Sequence, residues 1–238
     1  MKKTPGKRRK TMENDRRNKT FRLVFSGIML ALAFALSFVK LPFLPFGGSV
    51  TLFSMVPIVL VGCVCGNLWG LLVALAYSGL QIFQSAVFSK AFIEESGWRL
   101  VLMLLLDFVI AFTVLGLGGM FVTKKNVSKK SLPWLGAAGA AIVCFLRYLS
   151  HIASGYILFR QYAEWWFSEE FVNSMGEWAL GSFKGDALGL VYSVIYNGLY
   201  MIPEIVITAV GTFVVLTVLR GIKSTNRRII DIRNEAIF

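Results

Sequence analysis

The chain reads as an all-α integral membrane protein, a bundle of six transmembrane helices with both termini cytoplasmic. Three observations carry that reading. Of 238 residues, 56% are hydrophobic and only 16% charged, where soluble domains carry roughly 25% charge, and the mean hydropathy is +0.66. The apolar residues fall into six runs near the ~20 residues that cross a bilayer as a helix. The basic residues gather at the ends of those runs. This pattern excludes a water-soluble enzyme, a disordered tail and a fibrous protein.

The first run, Leu23 to about Val39, follows a basic stretch as a signal peptide would. Ala31, Ala33 and Ala35 imitate a cleavage site. They lie inside the apolar run, however, and the remainder is itself a membrane domain, so the helix is read as retained. Pro42, Pro45, Gly47 and Gly48 then end it and allow turns. The second run, Thr51 to Val64, is short for a span, and Gly66-Asn67 separates it from the third, Leu68 to about Phe88.

A polar patch, Glu94-Glu95-Ser96-Gly97, precedes the fourth run, Leu100 to Val122, and the fifth covers Leu132 to Phe159. Gln161 to Asp186 is acidic, tryptophan-bearing and too charged to span. The sixth run, Leu188 to Leu219, is about 48 Å long at 1.5 Å per residue. That exceeds a ~30 Å bilayer core, so it must tilt, protrude or kink at Pro203. The expected organisation is a basic tail (1–22), a membrane domain (23–220) and a second basic tail (221–238).

A net charge of +12 would suggest nucleic acid as the partner of a soluble protein. Here the placement of charge points to membrane lipids instead. The two tails and the connection between the fourth and fifth runs hold 19 of the 25 Lys and Arg. The opposite connections hold seven acids, among them Glu94, Glu164 and Asp186. Positive residues stay inside, so both termini are expected in the cytoplasm and the acidic, aromatic connections outside.

Cys63, Cys65 and Cys144 all sit in apolar runs, as membrane-buried thiols do. No metal site is expected from them, and no nucleotide-binding, zinc-hydrolase or serine-hydrolase pattern occurs. No cofactor is implied.

Ionisable residues inside spans are costly and mark function by default. There are four: Asp107, Arg147, His151 and Glu204. Asp107 is either a counter-charge for a cationic ligand or a structural ion pair with Arg147. His151 shares a helix face with Arg147 and can hydrogen-bond a ligand or a neighbouring helix. Ser193, Asn197, Tyr200 and Glu204 form a polar stripe on the last helix, which must face the bundle interior. Asn197 and Ser193 can serve a ligand or act as interhelical glue. Tyr192 lies about 140° around the helix from Asn197, so one pocket takes both only by wrapping around that helix. Gly27, Ala31 and Ala35 form a stripe of small residues that lets another helix approach, from this bundle or from a partner subunit.

Four segments, in this order and spacing, resemble the thiamine-specific substrate-binding (S) components of bacterial energy-coupling factor transporters. They are Gly47-Gly48-Ser49-Val50 leading to Met55-Val56-Pro57-Ile58, then Leu105 to Phe112 with Leu115-Gly116, then Leu146-Arg147-Tyr148 through His151 to Ser154-Gly155, and Tyr192 to Pro203. The resemblance implies a six-helix bundle in the cytoplasmic membrane that captures thiamine near its outer face. It implies substrate contacts at Asp107, His151, Phe159, Tyr192, Asn197 and Tyr77. A carboxylate and an aromatic face suit the permanently cationic thiazolium. It further implies that Gly27, Ala31 and Ala35 dock a transmembrane coupling subunit and that two ATPase subunits supply energy. An ion-coupled carrier titrating at Glu204 or Asp107, and an intramembrane hydrolase using Asp107 and His151, are the competing readings.

Overall fold

A computed structural model describes residues 5–41, 48–89, 97–122 and 127–221, with side chains from position 16 onward. Of the segments singled out from the sequence, the prolines of the first connection, the Glu94-Glu95-Ser96 patch, Lys124-Lys125 and nearly all of the second basic tail lie outside the described residues.

The described chain forms α1 (Pro5–Leu36), α2 (Val56–Cys65), α3 (Asn67–Phe88), α4 (Gly97–Gly119), α5 (Leu132–Phe167), α6 (Asn173–Ser182) and α7 (Gly185–Gly221). Five of them, α1 from Arg16 onward, α3, α4, α5 and α7, are long and apolar enough to cross a membrane. No strand occurs among the described residues; an isolated bridge joins Lys40 to Thr51.

α1 runs straight through the expected boundary at 22/23. The reason is local: between Gly6 and Gly27 there is no glycine or proline, and Lys, Arg, Glu and Met are good helix formers. Charge sets where a helix leaves lipid, not where it ends.

The second expected run gives a helix of only 10 residues, about 15 Å long and half a bilayer core. Pro57 sits in its first turn, where its missing N–H costs nothing. Residues 51–55 therefore stay outside the helix, folded back on the end of α1 by Leu41 N to Val50 O (2.8 Å) and Leu52 N to Val39 O (3.2 Å). Gly66 ends α2 at φ +95°, open to glycine alone. All ten residues of α2 are buried, so it is a core element wrapped by the longer helices.

Close packing around α2 depends on paired glycines. A Cβ on Gly116 of α4 would strike the backbone of Gly70 on α3, and one on Gly70 would strike Gly116. The longest helices, α5 and α7, pack along one another. The opposite side of α7 exposes Leu199, Ile202, Val206, Val210, Val214 and Val218. Such a row would promote aggregation in water and matches hydrocarbon in a bilayer.

Two long helices change gauge midway. α4 passes from α to π geometry over Leu104–Ile110 and to a 3-10 turn over Val114–Gly119. α5 does so over Gly155–Phe159, then continues through Ala163–Phe167, past its expected end at Phe159. The 161–186 stretch contains this end and α6. It plugs itself with Trp166, fully buried against Tyr192 and Tyr196 at ring separations of 5.5 and 5.9 Å.

Candidate functional site

A cavity of about 470 Å³ opens between α3, α4, α5, α7 and the segment preceding α2. That is the size of a small-molecule site. It collects the four ionisable residues expected inside spans: Asp107, Arg147, His151 and Glu204 all line it.

Asp107 reaches the cavity from the π segment of α4. π turns interrupt the α ladder and recur at functional sites. Here Ser150 of α5 donates to the Leu106 carbonyl at 2.6 Å, tying the altered turn to the neighbouring helix. Asp107 Oδ2 accepts from Ser154 at 2.5 Å, and Oδ1 lies 2.8 Å from His151 Nδ1. A carboxylate offers about four acceptor positions, so two remain for the cavity.

Arg147, His151 and Ser154 lie four and three residues apart on one face of α5, as the helical repeat requires. Arg147 Nε donates to His151 Nε2 at 3.1 Å. A guanidinium keeps its protons, so Nε2 is the acceptor, the imidazole is neutral, and Nδ1–H donates to Asp107. Both ring nitrogens are thereby engaged within the protein. Arg147 also reaches Met55 Sδ at 3.0 Å and lies 4.0 Å over the Phe112 ring. The structural alternative of a direct Asp107–Arg147 pair is thus replaced by a chain with His151 between them.

On α7, Asn197 donates to the Ser193 carbonyl at 2.8 Å and the His151 carbonyl at 3.2 Å, and accepts from Tyr200 at 2.5 Å. Ser193 donates to the Ile152 carbonyl at 2.7 Å. Both residues therefore join α7 to α5, and Asn197 lines the cavity as well. The approach is close because Gly155 has no side chain: a Cβ there would strike Ser193 Oγ and Asn197 Nδ2. Tyr192, Tyr196, Asn197, Tyr200 and Glu204 all face the cavity, which wraps about 140° of α7 at 100° per residue.

The segment before α2 closes one side. Gly48 N donates to Tyr196 Oη at 3.2 Å. Thr51 donates to Glu204 Oε1 twice, from N at 2.6 Å and Oγ1 at 2.7 Å. With the Thr51 hydroxyl proton so placed, Ser54 is the donor in its 2.5 Å contact with Thr51.

Five of the six expected substrate contacts, Asp107, His151, Phe159, Tyr192 and Asn197, line the cavity. Tyr77 does not: it is fully buried beside α1, donating to the Ala33 carbonyl at 3.4 Å and packing edge-on to Phe112 at 5.4 Å. Gly27, Ala31 and Ala35 lie on an exposed face of α1, and a Cβ on Gly27 would meet nothing within 4 Å.

The model of a family described as "Thiamine transporter protein" matches residues 23–168. The chain is also 31% identical over 196 residues to the thiamine transporter ThiT of Bacillus subtilis (strain 168), covering 79% of this chain and 86% of that one. The chain belongs to the thiamine transporter family. It is accordingly a multi-pass protein of the bacterial cell membrane and a transporter, not an enzyme.

The family match takes in Asp107, Arg147, His151 and Phe159 and stops before α7, which supplies Tyr192, Asn197 and Glu204. Several lining residues were not singled out as site residues from the sequence, among them Lys40, Gln81, Ser85, Ser154 and Tyr196. Ser154 and Tyr196 had a usable signal. Ser154 is one turn beyond His151, and Tyr196 one turn beyond Tyr192, each on a face already marked. Lys40 had none, because its place depends on how the chain folds back after α1. Of the tryptophans in the 161–186 stretch, Trp165 and Trp178 are exposed and Trp166 sits behind Tyr192 and Tyr196.

Proposed function

We propose that this chain captures thiamine in the α4–α5–α7 cavity as the substrate-binding subunit of an energy-coupling factor transporter. The observation that carries the reading is Asp107: a carboxylate held by two donors, with acceptor positions left over, in a tyrosine-lined cavity of a thiamine transporter family member. Thiamine offers a cation and an aminopyrimidine that both donates and accepts, and such a site complements both. Asp107, Tyr192 and Phe159 are proposed as direct contacts, with His151 and Asn197 holding them in place. Tyr77 acts from behind, through Phe112.

In this reading α2 counts as the sixth, short membrane element, and both termini are cytoplasmic, with basic tails at 1–22 and 221–238. The charge distribution supports that orientation. The exposed small-residue face of α1 supports docking of a transmembrane coupling subunit, with ATP hydrolysis supplied by two partner ATPases.

Titration of the purified protein with thiamine, followed by tryptophan fluorescence, tests the capture step. Trp166 packs on Tyr192 and Tyr196, so binding is expected to give a saturable change fitting one site. No heat and no fluorescence change would reject it. Orientation is tested by thiol labelling from outside: a cysteine at exposed Ser168 should react and one at exposed Ser128 should not. The native Cys63, Cys65 and Cys144 are buried and leave a low background. Purification without any ATPase partner, together with uptake by this chain alone, would favour an ion-coupled carrier.

A further inference from the structure

The cavity holds a second carboxylate besides Asp107. Glu204 is 2% exposed. Its Oε1 takes both Thr51 donors, whereas its Oε2 is buried with no hydrogen-bond partner among the described residues. A buried, unmatched acceptor of this kind calls for an explanation. Arg147 is its counterpart. It lines the same cavity, it touches His151, Met55 and Phe112, and no carboxylate among the described residues lies within 4.0 Å of it. Arg147 Nη1 ends at Met55, the neighbour in sequence of Ser54, whose contact with Thr51 leads on to Glu204, while its Nε reaches His151, the partner of Asp107.

We propose that Glu204 makes this cavity selective for a cation: it offsets the half-buried Arg147 guanidinium without pairing with it, and so leaves the charge of Asp107 for the ligand. This rests on the thiamine reading of the site. With His151 neutral by its hydrogen bonds and Glu204 counted as its carboxylate, the charges of Asp107, Glu204 and Arg147 around the cavity leave an excess of one negative charge that a monocation cancels. Without Glu204 the charges of Asp107 and Arg147 sum to zero, and a cation gains less over a neutral molecule of the same shape. Lys40 also lines the cavity but is exposed, where solvent ions screen it.

Glu204 thereby acts at a distance, as a specificity-determining residue and not a contact. Charges inside a low-dielectric cavity are felt across several ångströms, so no direct bond to the ligand is needed.

The test compares thiamine with its uncharged isostere, in which a thiophene replaces the thiazolium, by calorimetry on detergent-purified protein. Glu204→Gln keeps an amide oxygen for Thr51 and removes only the charge. Thiamine affinity should fall about tenfold, equivalent to about 1.4 kcal/mol, while the isostere changes little. Arg147→Gln should shift the ratio the opposite way, raising the preference for the cation. The double variant should return the ratio toward that of the unaltered protein. These opposite signs keep the test decisive even if one variant folds poorly. Equal loss of both ligands in Glu204→Gln would assign Glu204 to holding Thr51 alone, and an unchanged ratio in both single variants would show that the charges are not felt; either result overturns the proposal. Failure of the unaltered protein to bind either ligand would instead overturn the thiamine reading on which it rests.

Discussion

Arg147 donates its Nε–H to His151 Nε2 at 3.1 Å, one helical turn away on α5. Because the donor cannot give up its proton, this one contact fixes the imidazole as neutral and directs its Nδ1–H toward Asp107. The histidine is a spacer that keeps a cation and an anion apart while holding both.

Replacing His151 with Phe keeps the ring and removes both bonds. Asp107 is then left with Ser154 alone and Arg147 with weak partners. Each buried group left unsatisfied costs about 1–3 kcal/mol, so thermal stability in detergent and thiamine affinity should both fall. Retained affinity in a folded variant would reject the spacer role.

Asp107→Asn places an amide where two donors, Ser154 and His151, point, and removes the charge facing the ligand. Thiamine binding should weaken by about 2 kcal/mol or more, as for other desolvated charge partners. Calorimetry on the folded variant measures it, and unchanged affinity would remove Asp107 from the site.

Gly155→Val inserts a side chain against Ser193 and Asn197. Overpacking of this kind costs about 1–3 kcal/mol. The strain falls on the bonds that hold Asn197 to the His151 carbonyl, so the unfolding midpoint and thiamine affinity should drop together. Gly79→Val, at a position where a Cβ meets nothing within 4 Å, is the control and should affect neither.

Changing both Gly27 and Ala31 to Leu alters only the exposed face of α1. Thiamine binding in detergent should persist, while cellular uptake and pull-down of ATPase partners should fail. Normal uptake by the double variant would exclude a docking role for that face.

How much of the protein was legible in its sequence depends on the range over which each signal acts. Composition and run length disclosed a membrane bundle because lipid constrains every residue of a span. The shared face of Arg147 and His151 was legible because four residues is a fixed helical offset. The partner of Arg147 was not: Met55 lies 92 residues away, and no local rule links them. The Thr51–Glu204 contact spans 153 residues and was equally invisible, although Glu204 itself stood out as an acid within an apolar run. That the second run is short for a span was legible from its length; that its helix starts only at Val56 could have been read from Pro57, since proline starts helices more readily than it sits inside them. Hydrophobic periodicity gave no hint of the π segments, because apolar residues surround the chain there on all sides.

Those π segments place part of the site's geometry in chain length and not in side-chain chemistry. A single residue removed between Leu104 and Ile110 would let the widened turn of α4 close into uniform α geometry, while the helix on either side kept nearly its present orientation. Asp107 would then lose the widened turn from which it meets His151 and Ser154 now, although no residue of the site had been substituted. In this stretch a one-residue deletion is therefore a more drastic change than almost any substitution. Related chains that keep the same residue types but differ by one in this count would be expected to bind something else, or nothing.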